Sequence, residues 1–263
     1  MKAVSISSGS KGNCIYIESG NTCILIDNGL SLKNLESKLS ILNIDPNKID
    51  AILLTHEHGD HLYGVKAFLN KYKRTKIYIP SFVQNFCLPG IIALPSKQIE
   101  WYNNSDFFVK DITVSSFILP HDSHFCVGYS LLFGGKKISV ATDLGVMSNQ
   151  TLNCLSNSDV LFIESNHDEN LLRNNVKYTA RLKKRILSNE GHLSNKSCGE
   201  ALVQLVKTGV KQVVLSHLSQ ENNTPMLAYN TVKQILGSNG IIEGDNVFVD
   251  VALQDRIGTF FDF

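Results

Sequence analysis

The six cysteines, Cys14, Cys23, Cys87, Cys126, Cys154 and Cys198, form no CxxC pair, which argues against a thiolate zinc knuckle and a dithiol redox motif. Several lie within apolar stretches, where a free cysteine behaves as a small hydrophobe. No run approaches the ~18 apolar residues that a membrane helix needs, and the opening MKAVSISSGSKGN lacks a secretory apolar core. The expectation is a cytoplasmic protein with reduced thiols and no membrane partner. Net charge is nearly absent too: 25 Lys and Arg against 24 Asp and Glu leave +1, so affinity for a polyanion must come from a local patch. No Pro- or Ser-rich linker and no repeat interrupts the 263 residues. One domain, residues 1–263, is therefore expected, close to the ~250 residues at which single cores stop growing. With 43% hydrophobic and 19% charged residues, the composition is that of an ordered globular chain.

Short apolar strands are expected at AVSIS, CIYIES, CILIDNG and AILLT, with a helix over SLKNLESKLSILNI that Ser31 would cap. A second strand-rich block runs from KIYIP to KISVATDLG. Strand and helix then alternate: DVLFIES, a polar helical stretch ending near Asn189, a helix over EALVQLVKTG opened by a capping box from Ser197 to Glu200, KQVVLSH, and a helix with Thr224 as cap and Pro225 in its first position. NVFVDVAL is read as the last strand. Two blocks that each pass from strands into helices point to an α/β class protein in which two sheets pack together with helices outside.

The chain owns eight histidines, and three of them, His56, His58 and His61, fall with Glu57 and Asp60 inside HEHGDH, directly after an apolar strand. His56 and His58, two apart in an extended segment, can grip one ion. Gly59 permits a turn, after which Asp60 and His61 can address a second ion. Further strand ends deliver Asp27, Asp143, Glu164, His217 and, after SSFILP, His121. Each ion remains short of ligands, and a further His per ion plus a bridging carboxylate would complete a two-metal centre; His121, Asp143 and His217 meet that need, with His124 competing with His121.

The order Asp27, His56-x-His58-x-Asp60-His61, His121, Asp143, His217 resembles the motifs of the metallo-β-lactamase superfamily over most of the chain. Gly128, Gly145 and the phrases ESNHD, GHLSN and SHLSQENNTP make it similar to the YycJ/WalJ-type metallohydrolases, relatives of the ribonuclease Z branch. The resemblance implies a four-layer αββα sandwich, two mixed sheets with helices outside, and a nuclease-like phosphodiesterase. By motif, His56, His58 and His121 would bind one metal, Asp60, His61 and His217 the other, and Asp143 would bridge. Asp27 and Glu164 would stand behind the ligands. The place of His121 before GY, as in the ribonuclease Z pattern, selects it over His124.

Two divalent ions, Zn²⁺ or Mn²⁺ with Fe²⁺ also suited, would share a hydroxide as nucleophile. Asp60 would take part in catalysis, and His192 of GHLSN, or else His167 of ESNHD, would protonate the leaving oxygen. The acid-free basic segment RNNVKYTARLKKR, with Arg181, Lys183, Lys184 and Arg185, and Ser194 and Asn195 of GHLSN would bind a nucleic-acid backbone, DNA in preference to RNA. Asp143 and His217 are too close for a large inserted nuclease domain, and no Gly/Pro-rich arm is present, which disfavours transfer-RNA processing and favours exonuclease action. The alternatives are a thioesterase or lactonase of the same fold, and a catalytically silent binding protein; the intact ligand set argues against the latter.

Overall fold

The computed structural model describes residues 1–263. In chain order the strands and helices are β1 Lys2–Ser7, β2 Cys14–Ser19, β3 Thr22–Ile26, α1 Leu32–Ile41, β4 Ala51–Leu53, α2 Gly59–Leu62, α3 Val65–Lys71, β5 Lys76–Pro80, α4 Pro89–Ile92 and β6 Ile99–Tyr102. The second half contributes β7 Asp106–Val109, β8 Ile112–Ile118, β9 Val127–Phe133, β10 Lys136–Ala141, α5 Asn149–Leu155, β11 Val160–Glu164, α6 Glu169–Asn174, α7 Ala180–Ile186, α8 Asn195–Lys207, β12 Gln212–Ser216, α9 Pro225–Ser238, β13 Phe248–Val251 and β14 Phe261–Asp262.

These strands form two seven-stranded sheets, ordered β14-β1-β2-β3-β4-β5-β6 and β13-β12-β11-β10-β9-β8-β7. Both follow one plan. β1 to β3 and β7 to β10 are antiparallel meanders, whereas β3 to β6 and β10 to β13 pair in parallel. Alternation along the strands sorts side chains into three cores. Ile24, Ile26, Leu53, Tyr129, Val140, Phe162 and Val214 meet between the sheets. Leu25, Ile52 and Ile77 face outward onto Leu35, Leu39, Phe68 and Leu69 of α1 and α3. Leu161, Ile163, Val213 and Leu215 face Leu155, Leu202, Leu205, Val232 and Leu236 of α5, α8 and α9. The result is the four-layer αββα sandwich that the family resemblance implies, in agreement with the two-block pattern. Cys14 and Cys23 pack in one outer core and Cys126 and Cys198 in the other, as small hydrophobes do. No helix is long and apolar enough to cross a membrane.

Two expected caps are present: the Ser31 hydroxyl accepts from Asn34 N–H at 3.3 Å and the Thr224 hydroxyl from Leu227 N–H at 3.1 Å. Three expectations need correction. The helix placed after Ser197 starts earlier, because the Ser194 hydroxyl accepts the Ser197 N–H at 3.1 Å and so caps α8 itself. The polar stretch before Asn189 is two helices, because Asn175 turns extended and binds Lys177 N–H, and Thr179 caps a fresh start at α7. NVFVDVAL is not the last strand, since β14 follows and pairs with β1.

Because the parallel strands run the same way, their carboxyl ends gather at one edge, where the two sheets are stitched together. Val127 N–H donates to Thr55 O at 3.0 Å, and the Tyr129 hydroxyl to Leu54 O at 2.6 Å. Gly145 lies where the loop after β10 meets the turn before GHLSN: a Cβ on it would sit 2.3 Å from the Asn189 carbonyl carbon. That neighbour is backbone and cannot rotate away. Gly145→Ala is expected to cost ~1–3 kcal/mol, as overpacking does, measured as a lower urea midpoint at unchanged slope.

Candidate metal centre

Every group predicted for the metals comes from a strand's carboxyl end or the loop after it. Asp27 follows β3, His56 to His61 follow β4, His121 follows β8, Asp143 follows β10, Glu164 ends β11 and His217 follows β12. Three of them hold left-handed backbone: Asp27 at φ 59°, Asp143 at φ 63° and His217 at φ 56°. Such φ values disfavour side chains with a Cβ, Asp and His less than most, and they concentrate at functional sites. Here they turn the chain sharply off each strand into the gap between the sheets.

Partners behind the imidazoles fix which nitrogen is free. Asp27 Oδ1 accepts Thr55 N–H at 2.8 Å, and Oδ2 accepts the Thr55 hydroxyl at 2.7 Å and His61 Nδ1–H at 2.8 Å. With its proton given to Asp27, the Thr55 oxygen receives His56 Nδ1–H at 3.0 Å. His121 Nδ1–H is held by Gly191 O at 3.1 Å, and His217 Nδ1–H by Glu164 Oε1 at 3.0 Å. The Nε2 atoms of all four are thereby left as lone-pair donors, the arrangement that metal-ligating histidines adopt.

Those atoms converge in two groups. His56, His58 and His121 form one, His58 Nδ1 lying 3.4 Å from His121 Nε2; Asp60, His61 and His217 form the other, His217 Nε2 lying 3.3 Å and His61 Nε2 3.5 Å from Asp60 Oδ2. Asp143 stands between them, Oδ2 3.2 Å from His61 Nε2 and Oδ1 3.9 Å from His121 Nε2. His56 Nε2 is buried without any hydrogen-bond partner. An orphaned buried donor amid seven N and O groups fits divalent cations, which would satisfy it.

Electrostatics point the same way. Burial holds His56 and His58 below the ordinary imidazole range, as neutral ligands. Burial opposes the charge on Asp143, yet His217 and His61 beside it keep its carboxyl well below the usual range. Conversely, burial would lower His61 and His217, but the nearby carboxylates, Asp143 first, raise both, His217 to about 10. Without cations these two imidazoles hold protons in the metals' place.

Of the other expected residues, Glu164 is fully buried and does more than support His217: its Oε1 also accepts His192 Nδ1–H at 2.8 Å, and its Oε2 accepts Leu144 and Leu193 N–H. His192 lines the cleft of about 450 Å³ above the cluster, together with Arg185, Tyr178 and Lys11. His124 is turned away, bound to Glu57. His167 is buried and does not line the cleft; burial lowers it to about 4, so it is a neutral packed imidazole, not a proton donor at the site. Ser194 and Asn195 also lie outside: one caps α8, and the other binds Ser165 and Asn223. Lys183 and Lys184 line a separate groove with Arg173, and Arg181 is exposed without lining the cleft. Only Arg185 of the four basic residues reaches it, where it pairs with Asp122. Helical periodicity separates these neighbours onto different faces of α7. Thr55, Asn13 and Lys11 were not singled out. Asn13 reaches His61 Nε2 at 3.0 Å, and its only sequence signal is the glycine-rich loop GSKGN.

A model of the Beta-lactamase superfamily domain matches residues 22–218. The chain is 36% identical over 231 residues to Exodeoxyribonuclease WalJ of Streptococcus pneumoniae strain D39, covering 86% of this chain and 85% of that protein. It is 32% identical over 243 residues to Exodeoxyribonuclease YycJ of Bacillus anthracis, covering 91% and 90%. Among solved structures, Zn²⁺-bound PqqB from Methylobacterium extorquens superposes over the whole of both chains with a TM-score of 0.73 at 14% identity.

Metal binding must displace the protons on His61 and His217, so uptake is expected to release protons and to tighten as pH rises towards about 10. Calorimetric titration of metal-free protein with Zn²⁺ in buffers of different ionisation enthalpy checks this; the same heat in every buffer would contradict it.

Proposed function

The chain belongs to the metallo-β-lactamase superfamily, and from that premise we propose that it is an exodeoxyribonuclease using two divalent ions, Zn²⁺ or Mn²⁺ with Fe²⁺ also compatible. It is a metal-dependent hydrolase of phosphodiester bonds. The observation that carries the DNA reading is the near full-length likeness to two exodeoxyribonucleases, in a chain whose cleft joins a metal-ready cluster to exposed cations.

Hydrolysis of a phosphodiester needs an activated water, neutralisation of charge on the phosphoryl oxygens, and a proton for the leaving oxygen. Bound divalent ions supply the Lewis acidity and the activated water. The chain's own residues supply the rest. His56, His58 and His121 would hold one ion and Asp60, His61 and His217 the other, with Asp143 between the two groups. Asp27, through Thr55 and directly, keeps His56 and His61 in the tautomers that ligation requires. Glu164 holds both His217 and His192 through one oxygen. Although burial opposes its charge, Glu164 raises His192 above the usual imidazole range and so favours its protonated form. With Nδ1–H given to Glu164, its Nε2–H is the proton for the leaving oxygen. Arg185 and Lys11 line the cleft and bind the flanking phosphates.

Two variants test the assignment with end-labelled single- and double-stranded DNA and RNA. Asp143→Ala is expected to lose bound metal and all cleavage. His192→Ala is expected to keep its metal content, measured by plasma emission, while kcat falls about 10²–10⁴-fold, the range for a general acid. Turnover of a thioester or lactone with no cleavage of any polymer would replace this reading with that of a small-molecule hydrolase.

A further inference from the structure

A second cavity, of about 560 Å³, opens beside the metal cluster, and His58 lines both it and the cleft. Leu88, Pro89 and Gly90 line it together with Asp122, Ser123 and His124. A row of rings leads outward from His124. Glu57 Oε1 accepts both the backbone N–H and Nδ1–H of His124, each at 2.8 Å, which fixes the imidazole while its side chain stays 59% exposed. The Phe86 ring lies 5.7 Å from that imidazole, and Phe82 meets Phe86 edge-on at 6.4 Å. Phe82 and Phe86 are 42% and 43% exposed, in the segment between β5 and β6 that contributes no strand to either sheet. Scattered exposed hydrophobes need no explanation, but two exposed phenyl rings packed in series on an imidazole that lines a cavity beside the metal cluster do.

We propose that this cavity receives the nucleobase of the nucleotide being removed, stacked on His124, with the tilted Phe86 ring against its edge and Phe82 supporting Phe86. The proposal rests on the nuclease reading and names the part of the substrate which that reading leaves without a site. Charge divides the surface accordingly. Arg185 and Lys11 line the cleft on one side of the cluster and suit phosphates. The other cavity carries the carboxylates of Glu57 and Asp122 and no Lys or Arg, which favours a neutral ring over a phosphate. A phosphate held at His58 has its own base within one sugar's reach, and the cavity begins at His58. Stacking is tolerant of base identity, as a sequence-independent exonuclease requires. A paired base cannot enter, so the preferred end is single-stranded or frayed.

The test compares single-stranded oligonucleotides that end in an ordinary nucleotide with ones that end in an abasic residue, using the full chain loaded with Mn²⁺. The wild type is expected to prefer the base-bearing end by about ten-fold in kcat/KM, the scale set by one base–aromatic stack. In Phe86→Ala the ratio falls towards one, and in Phe86→Tyr it returns. No preference in the wild type, or an equal loss on both ends in Phe86→Ala, overturns the proposal. If the loaded protein cleaves no polymer, the nuclease reading fails, and the cavity is judged separately by a terminal 2-aminopurine. Quenching of its fluorescence by wild type and Phe86→Tyr but not by Phe86→Ala sustains the base site; no quenching by the wild type overturns it.

Discussion

The carboxylate of Asp27 is the constraint on which the rest of the centre depends. It is buried, sits on left-handed backbone at the end of β3, and accepts three hydrogen bonds from the neighbouring β4 loop: the Thr55 amide, the Thr55 hydroxyl and the His61 imidazole. Through Thr55 it sets His56, and directly it sets His61, so one acid governs an imidazole in each of the two ligand groups. Glu164 repeats the device from the other sheet, holding His217 and His192 through a single oxygen. Each sheet thus supplies one buried carboxylate that orients two histidines. Ligand precision comes from these pins and from the rigidity of the strands beneath them, not from the loops.

Strain and close approach serve the same end. The left-handed turns at Asp27, Asp143 and His217 cost local stability, and the surrounding packing over-determines them. Each sends its side chain into the space between the sheets at the point where a straight continuation would carry it past. Gly145 serves the opposing loop by letting the backbone near Asn189 approach closely, which keeps Gly191 O beneath His121 and His192 beside Glu164.

Much of this was legible in the residues themselves. Apolar runs gave the strands, and their polar ends gave the cluster, because strands that share a direction deliver their carboxyl ends to one edge whatever the sequence between them. The preference for His121 over His124 agrees with where the two rings lie. What the residues concealed was facing. Lys183, Lys184 and Arg185 are consecutive, yet only Arg185 turns to the cleft, since successive helical positions diverge by about 100°. Ser194 and Asn195 look like ligand groups in a motif but are spent on capping α8 and on an amide network with Ser165 and Asn223. The break between α6 and α7 depends on Asn175 and Thr179, side chains common enough in helices to pass unnoticed. Thr55 and Asn13 could not be singled out, because a hydroxyl or an amide acquires a role only from what lies against it.

The division of the fold into two similar sheets bears on when, during synthesis, the site becomes complete. His56, His58, Asp60 and His61 all belong to the first sheet's strands and loops, whereas His121, Asp143, Glu164, His192 and His217 belong to the second. A nascent chain that has emerged only as far as β6 holds four of these groups and no cleft. A complete cluster therefore arises only once the second sheet has closed on the first, and an incomplete copy carries half of it.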